Sequence, residues 1–255
     1  MGAMTKAGAT RKTAVAVGEF TGFPTAAFSF LKALADNNNR EWFEAHRDKY
    51  EGALREPMKA LIEEMDARLA TFAPEITGTV KGSMFRIHRD IRFSKNKAPY
   101  KTNAACWFFH RDARSTVGQE AVHGGAGLYF QLEPRNCFAG GGVWMPPSPV
   151  LKRVRAALDV GHEEFTAIVN AKTFRKTLGT METDAMLKRM PRGFEPDHPA
   201  GDWLRHQSFT AGCSLKQAEV TSASLADRLE EVFRTMTPLV RWLNTAMGFR
   251  PHTSR

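Results

Sequence analysis

The chain has 255 residues, of which 42% are hydrophobic, 10% aromatic and 25% charged, a balance that fits one large folded domain and excludes a disordered chain. No apolar run reaches the roughly 18 to 20 residues of a membrane span, and the N-terminus lacks the hydrophobic core of a signal peptide, so a cytoplasmic protein with no membrane partner is expected. The formal charge of +9 is local: Lys81, Arg86, Arg89, Arg92, Lys95, Lys97 and Lys101 face only Asp90 over residues 81–101, residues 1–18 add Lys6, Arg11 and Lys12, and the remainder is neutral overall.

Residues 1–18 are small, basic and aperiodic, which predicts a disordered leader ahead of a single domain over 19–255. From Phe20 the pattern turns helical, with Phe28, Leu31 and Leu34 on one face and Asn37 to Asn39 closing the segment. Asn39 is placed to cap a second helix, which Pro57 divides by starting a third at or near its first turn. Aromatic and β-branched segments follow as an antiparallel meander: SMFRIHRDIRF, TNAACWFFH, AGLYFQLEP and CFAGGGVWM. PPSPVLKRVRAAL then opens a helix, with Ser148 as N-cap and Pro149 at the first position, and HEEFTAIVNAKTFRKTL reads as another. PRGFEPDHPAGDW and LRHQSF lead to a C-terminal helix, SLADRLEEVFRTMTPLVRWLNTAM. N-terminal helices, a central antiparallel sheet and C-terminal helices make an α+β fold.

The stretch FRIHRDIRFSKNKAPYKTN carries the strongest chemical signal. Read as a strand, residues 84–94 put Phe85, Ile87, Arg89, Ile91 and Phe93 on one face and Arg86, His88, Asp90, Arg92 and Ser94 on the other. Arg89 interrupts an apolar face and requires a partner, a bulge or a buried task. Guanidinium forks from Arg86 and Arg92 match carboxylate or phosphate oxygens, and Asp90 between them can orient one. Lys95, Lys97, Lys101, Ser94 and Tyr100 follow on a loop that Pro99 stiffens through Ala98. The same pattern also fits a solvated strand face that resists edge pairing.

Three blocks resemble an uncharacterised family of bacterial and fungal proteins, a domain of unknown function. They are FLKALADNNNREWFEAHRDKY, FRIHRDIRFSKNKAPYKTN, and GGGVWMPPSPVLKRVR with PRGFEPDHP and LRHQS, and together they cover nearly everything after residue 20. The resemblance implies a shared fold and a site around Arg86, Arg89, Asp90, Arg92, Phe93, Ser94, Lys95, Lys97, Pro99, Tyr100 and Lys101. This chain departs from the family at Asn96, where an acidic residue is common, and at His88, near which Tyr is frequent.

Other constellations are weaker. HGGAG (123–127) has the form of an oxyanion turn without a G-x-S-x-G nucleophile, and GGG (140–142) lacks the ending of a phosphate loop and fits close strand packing. Cys106, Cys137 and Cys213 have no metal or redox spacing and read as buried thiols. GHEEF has the wrong spacing for a metal, so neither metal nor cofactor is expected. Asn38 and Arg40 stand next to the capping residue and are candidates to face the basic segment. Asp197 and His198, between prolines, form a candidate acid/base pair.

The leading expectation is a domain that binds a phosphate-bearing or other anionic ligand through Arg86, Arg89, Arg92, Ser94, Lys95, Lys97 and Lys101. If it is an enzyme, Asp90, Tyr100 and His198 are the proton-transfer candidates. The alternatives are a nucleic-acid binder that stacks a base on Tyr100 or Trp107, and an interaction module for an acidic protein. Converging guanidiniums in a pocket favour a small ligand, and an open basic stripe favours a polymer.

Overall fold

A computed structural model of the chain describes residues 19–113 and 125–251. The leader expected over residues 1–18 lies outside them. Helix α1 (Thr25–Asp36) buries Phe28, Leu31 and Leu34, the three residues whose spacing predicts it. Asn39 caps α2 (Arg40–Ala45) by accepting from the Trp42 N–H at 2.9 Å. His46 then breaks the run, with φ −119° and ψ 17°, and stacks its ring on Trp42 at 4.1 Å.

Beyond it, α3 (Arg47–Tyr50), a π-helical turn (Glu51–Arg55) and α4 (Glu56–Phe72) follow one helical path. Pro57 lies in the first turn of α4, as its position predicts. The widened turn in front of it relieves the clash that a proline ring makes with the carbonyl four residues back.

Among the described residues, β1 (Ile76–Thr77), β2 (Ala104–His110), β3 (Gly127–Leu132), β4 (Cys137–Val143) and β5 (Phe209–Leu215) form one antiparallel sheet in that order. A short helix, α5 (Val80–Ser83), follows β1. Strands β2, β3 and β4 fall inside three of the predicted segments. Strand β5 carries too many small residues, Ala211, Gly212 and Cys213, to announce itself, and β1 is only two residues long.

The expected strand over residues 83–93 is corrected. Ser83 ends α5, and only Met84 and His88 make isolated bridges, to Cys106 and Tyr100. Lys101 N–H donates to Ile87 O at 2.7 Å and Arg89 N–H to Pro99 O at 2.8 Å, so residues 84–106 form an irregular hairpin continuous with β2. Pro99 has no N–H to return, which prevents a regular ladder.

The two helices predicted after β4 are joined in α6 (Ser148–Asn170), bent at Gly161, where φ is −149° and ψ 35°. Ser148 is its first residue and makes no capping bond, which corrects that expectation. The chain leaves helical geometry at Ala171 before α7 (Lys172–Leu178), and α8 (Gly201–Leu204) and α9 (Gln217–Val220) lead into α10 (Leu225–Met247).

Register puts Cys106, Phe130, Ala139 and Cys213 in one row and Phe108, Leu128, Gly141 and Ala211 in the next. This is the core face. Phe233 of α10 meets Phe108 edge-on at 5.7 Å and Phe23 stacks on Phe130 at 5.9 Å. The opposite face carries Trp107, Tyr129, Gln131 and Phe138, all half-buried. The GGG run serves close approach, because a Cβ on Gly140 or Gly141 would run into the carbonyl oxygen of Ala211 or Gly127.

Candidate functional site

The basic segment forms the outer half of the hairpin. Exposure alternates on its first limb: Ile87 is buried, Phe85, Arg89 and Ile91 are half-buried, and Arg86, His88, Asp90 and Arg92 are exposed. The alternation expected from a strand therefore survives through residue 92 although the ladder does not. It fails at Phe93, which is 95% exposed.

The tip is held by its own hydrogen bonds. Asp90 accepts from the Arg92 backbone N–H at 3.2 Å and from its guanidinium at 3.0 and 2.7 Å. Those bonds hold the Asp90 carboxyl down at about 2, well below the ordinary carboxylate value. Lys97 Nζ donates to Ile91 O at 3.1 Å, Ser94 N–H donates to the same carbonyl at 3.3 Å, and Asn96 accepts from Ala98 N–H at 2.9 Å.

Two anchors tie the hairpin to the body. Asn38, at the turn between α1 and α2, donates to Tyr100 O and accepts from Tyr100 N–H, each at 3.0 Å. The Tyr100 ring, 3% exposed, stacks on Phe43 at 4.1 Å and 18°. Asn39 thus caps a helix while Asn38 next to it grips the basic segment. Tyr100 has no free ring face on which a base could stack, and Trp107 is half-buried over Gly127.

The seven expected ligand-binding residues divide between two surroundings. Arg89 and Lys101 line a cleft of about 340 Å³ with Asn38, Asn96, Asn103 and Glu133. Ser94 lies beside them, its hydroxyl accepting from Arg89 at 3.4 Å. Arg86, Arg92, Lys95 and Lys97 are exposed on the hairpin outside that cleft. Lys101 also sets its ammonium over the Phe85 ring at 5.0 Å. A larger groove of about 910 Å³ between α6 and α10 contains none of these residues.

The three proton-transfer candidates have separate surroundings. Asp90 is ion-paired with Arg92, Tyr100 is packed on Phe43, and His198 Nε2 contacts Asp159 of α6 at 2.8 Å. His198 Nδ1 accepts from the Ala200 N–H at 3.0 Å, which leaves Nε2 as the donor to Asp159. The partner of His198 is therefore Asp159, and Asp197 stands exposed.

In HGGAG, His123 and Gly124 lie outside the described residues, while Ala126 exchanges both backbone hydrogen bonds with the Asn244 amide at 2.8 and 3.1 Å. That backbone N–H is already committed. Among the described residues no group of three His, Cys, Asp or Glu side chains is placed to hold a metal, and no helix is long and apolar enough to cross a membrane. Strand alternation puts Phe93 on the apolar face. Its one contrary signal is the unbroken polar run Ser94 to Lys97 that follows.

A family model described as conserved hypothetical protein (DUF2461) matches residues 26–242, a span that includes the whole hairpin. No curated protein and no solved structure matches the chain.

Proposed function

The chain belongs to the conserved hypothetical protein family (DUF2461), and from the form of its hairpin we propose that it binds a phosphate-bearing polyanion, the backbone of a nucleic acid. The observation that carries the reading is the exposure of Arg86, Lys95 and Lys97 along one hairpin rather than around a pocket, with Arg92 beside them paired to Asp90. Cations spread in this way neutralise successive phosphates and release their counterions, and a single small anion would engage only some of them. The Asn38 clamp and the Phe43–Tyr100 stack support it by fixing the hairpin before a ligand arrives, which lowers the ordering cost of binding.

The test is the salt dependence of binding to labelled single-stranded and duplex oligonucleotides, followed by fluorescence anisotropy. For single strands the slope of log K against log salt is expected to fall in magnitude by roughly 0.7 for each phosphate contact removed. Arg86→Gln, Lys95→Gln and Lys97→Gln each remove one, while Arg89→Ala leaves the slope unchanged. Salt-insensitive binding, or equal slopes in all variants, overturns the proposal.

A second reading has its own observation. Arg89, Lys101 and the Asn96 amide share a cleft that Glu133 also lines, a cation-rich donor set suited to one small phosphate compound. A thermal-shift panel of phosphate, sulfate, nucleotides and sugar phosphates at fixed ionic strength separates the two. Selective stabilisation by one compound, lost in Arg89→Ala and kept in Lys95→Gln, moves the ligand into the cleft.

A further inference from the structure

Phe93 is the most exposed large apolar side chain among the described residues, at 95%. Ile87 and Ile91, earlier on the same limb, are buried and half-buried, whereas Phe93 stands in water. The backbone on both sides is pinned: Asp90 holds the Arg92 N–H at 3.2 Å, Ser94 N–H reaches Ile91 O at 3.3 Å, and Lys97 Nζ reaches the same carbonyl at 3.1 Å. The Arg92 guanidinium carbon stands 5.8 Å from the ring centroid. A flat apolar ring is thus presented in water, on a fixed turn, among cations.

We propose that Phe93 is a stacking platform for an unpaired nucleobase, with the phosphates of the same strand on Lys95 and Lys97. This rests on the polyanion reading above and narrows it to single-stranded nucleic acid. A base offers what the tip lacks, a π-face of matching size, and carries a phosphate within reach of the flanking cations. Phe has no hydrogen-bonding group, so recognition tolerates any base. Insertion into lipid asks for several apolar side chains at one tip, whereas Ser94, Lys95, Asn96 and Lys97 follow Phe93 directly. Tyr100, buried on Phe43, leaves the stacking role to Phe93.

The experiment is fluorescence anisotropy with short labelled oligothymidylate, an abasic strand of equal length, the corresponding duplex, polyglutamate, and phosphatidylserine vesicles. Phe93→Ala is expected to weaken oligothymidylate binding about tenfold, with its salt slope and melting temperature unchanged, since the ring touches neither a phosphate nor the core. The abasic strand is expected to bind wild type and Phe93→Ala equally. Phe93→Trp is expected to restore affinity and to lose indole fluorescence when oligothymidylate is added. If Phe93→Ala binds oligothymidylate as wild type does while Lys95→Gln and Lys97→Gln bind it less, the stacking role is overturned and the polyanion reading stands. If wild type binds no oligonucleotide, or prefers polyglutamate or vesicles, both are overturned.

Discussion

The Asn38 side chain holds both backbone polar groups of Tyr100, sixty-two residues away, with two hydrogen bonds of 3.0 Å. The basic hairpin is thereby fastened to the turn between α1 and α2 at its middle, where the Phe43 ring supports the other side of the same residue. Asn244 holds Ala126 in the same way, at 2.8 and 3.1 Å. In each case an amide side chain completes the hydrogen bonding of a backbone segment that a regular ladder leaves unpaired.

Replacing Asn38 by Ala is expected to cost about 1–3 kcal/mol, because it leaves a part-buried donor and acceptor of Tyr100 unsatisfied. Replacing Asn39 by Ala removes only the cap of α2 and costs about 1 kcal/mol. Urea titration gives both values. Amide hydrogen exchange separates their causes: Arg89 and Lys101 N–H, which bond across the hairpin, lose protection in Asn38→Ala and keep it in Asn39→Ala.

Asp90 neutralises Arg92 at the tip, so Asp90→Asn is expected to tighten oligonucleotide binding and steepen its salt dependence. The folded carboxyl titrates at about 2 against an ordinary 3.8. The sign follows from linkage: its contribution to stability is complete above the ordinary value and disappears as pH falls through about 2. Because the pair is solvent-exposed, thermal melts are expected to show only a small difference between wild type and Asp90→Asn at higher pH, closing towards the acid limit.

Glu75, 1% exposed, pairs with Arg241 of α10 at 2.6 and 3.2 Å, and Arg241 also donates to Phe72 O at 2.9 Å. This joins the end of α4 to α10 beside the start of the sheet. Arg241 is 40% exposed at its side chain and has water as an alternative; Glu75 has none. Arg241→Met is expected to cost about 3 kcal/mol by stranding a buried carboxylate, and Glu75→Gln distinctly less. Chemical denaturation of both single variants and the double variant measures the asymmetry.

His206 is buried between Trp203 and Phe209, at ring distances of 5.8 and 5.7 Å. Burial lowers its pKa from 6.5, with the Ser208 carbonyl opposing the shift. The unfolded chain then binds the proton more readily, so this contribution is present above 6.5 and is lost as pH falls towards the depressed value. Stability measured in that window is expected to drop in wild type and to flatten in His206→Phe, which keeps the aromatic packing without a titrating group.

The sequence by itself determined the helices with strong apolar spacing, the order of helices, sheet and helices, and the segment where positive charge concentrates. Phe28, Leu31 and Leu34, the Asn39 cap, Pro57 and the aromatic runs of β2, β3 and β4 act through neighbours a few residues away, and such signals survive in one dimension. Tertiary structure decided the rest. Strand β5 exists because its small residues fit against β4, and residues 84–94 became a hairpin limb because Pro99 and Asn38 displaced the ladder. Whether Arg89 enters a cleft while Arg86 faces water, and whether Phe93 joins the core or leaves it, depends on the path of the hairpin relative to α1 and the turn at Glu133. Those positions are set by contacts between residues far apart in the chain, and local spacing does not encode them.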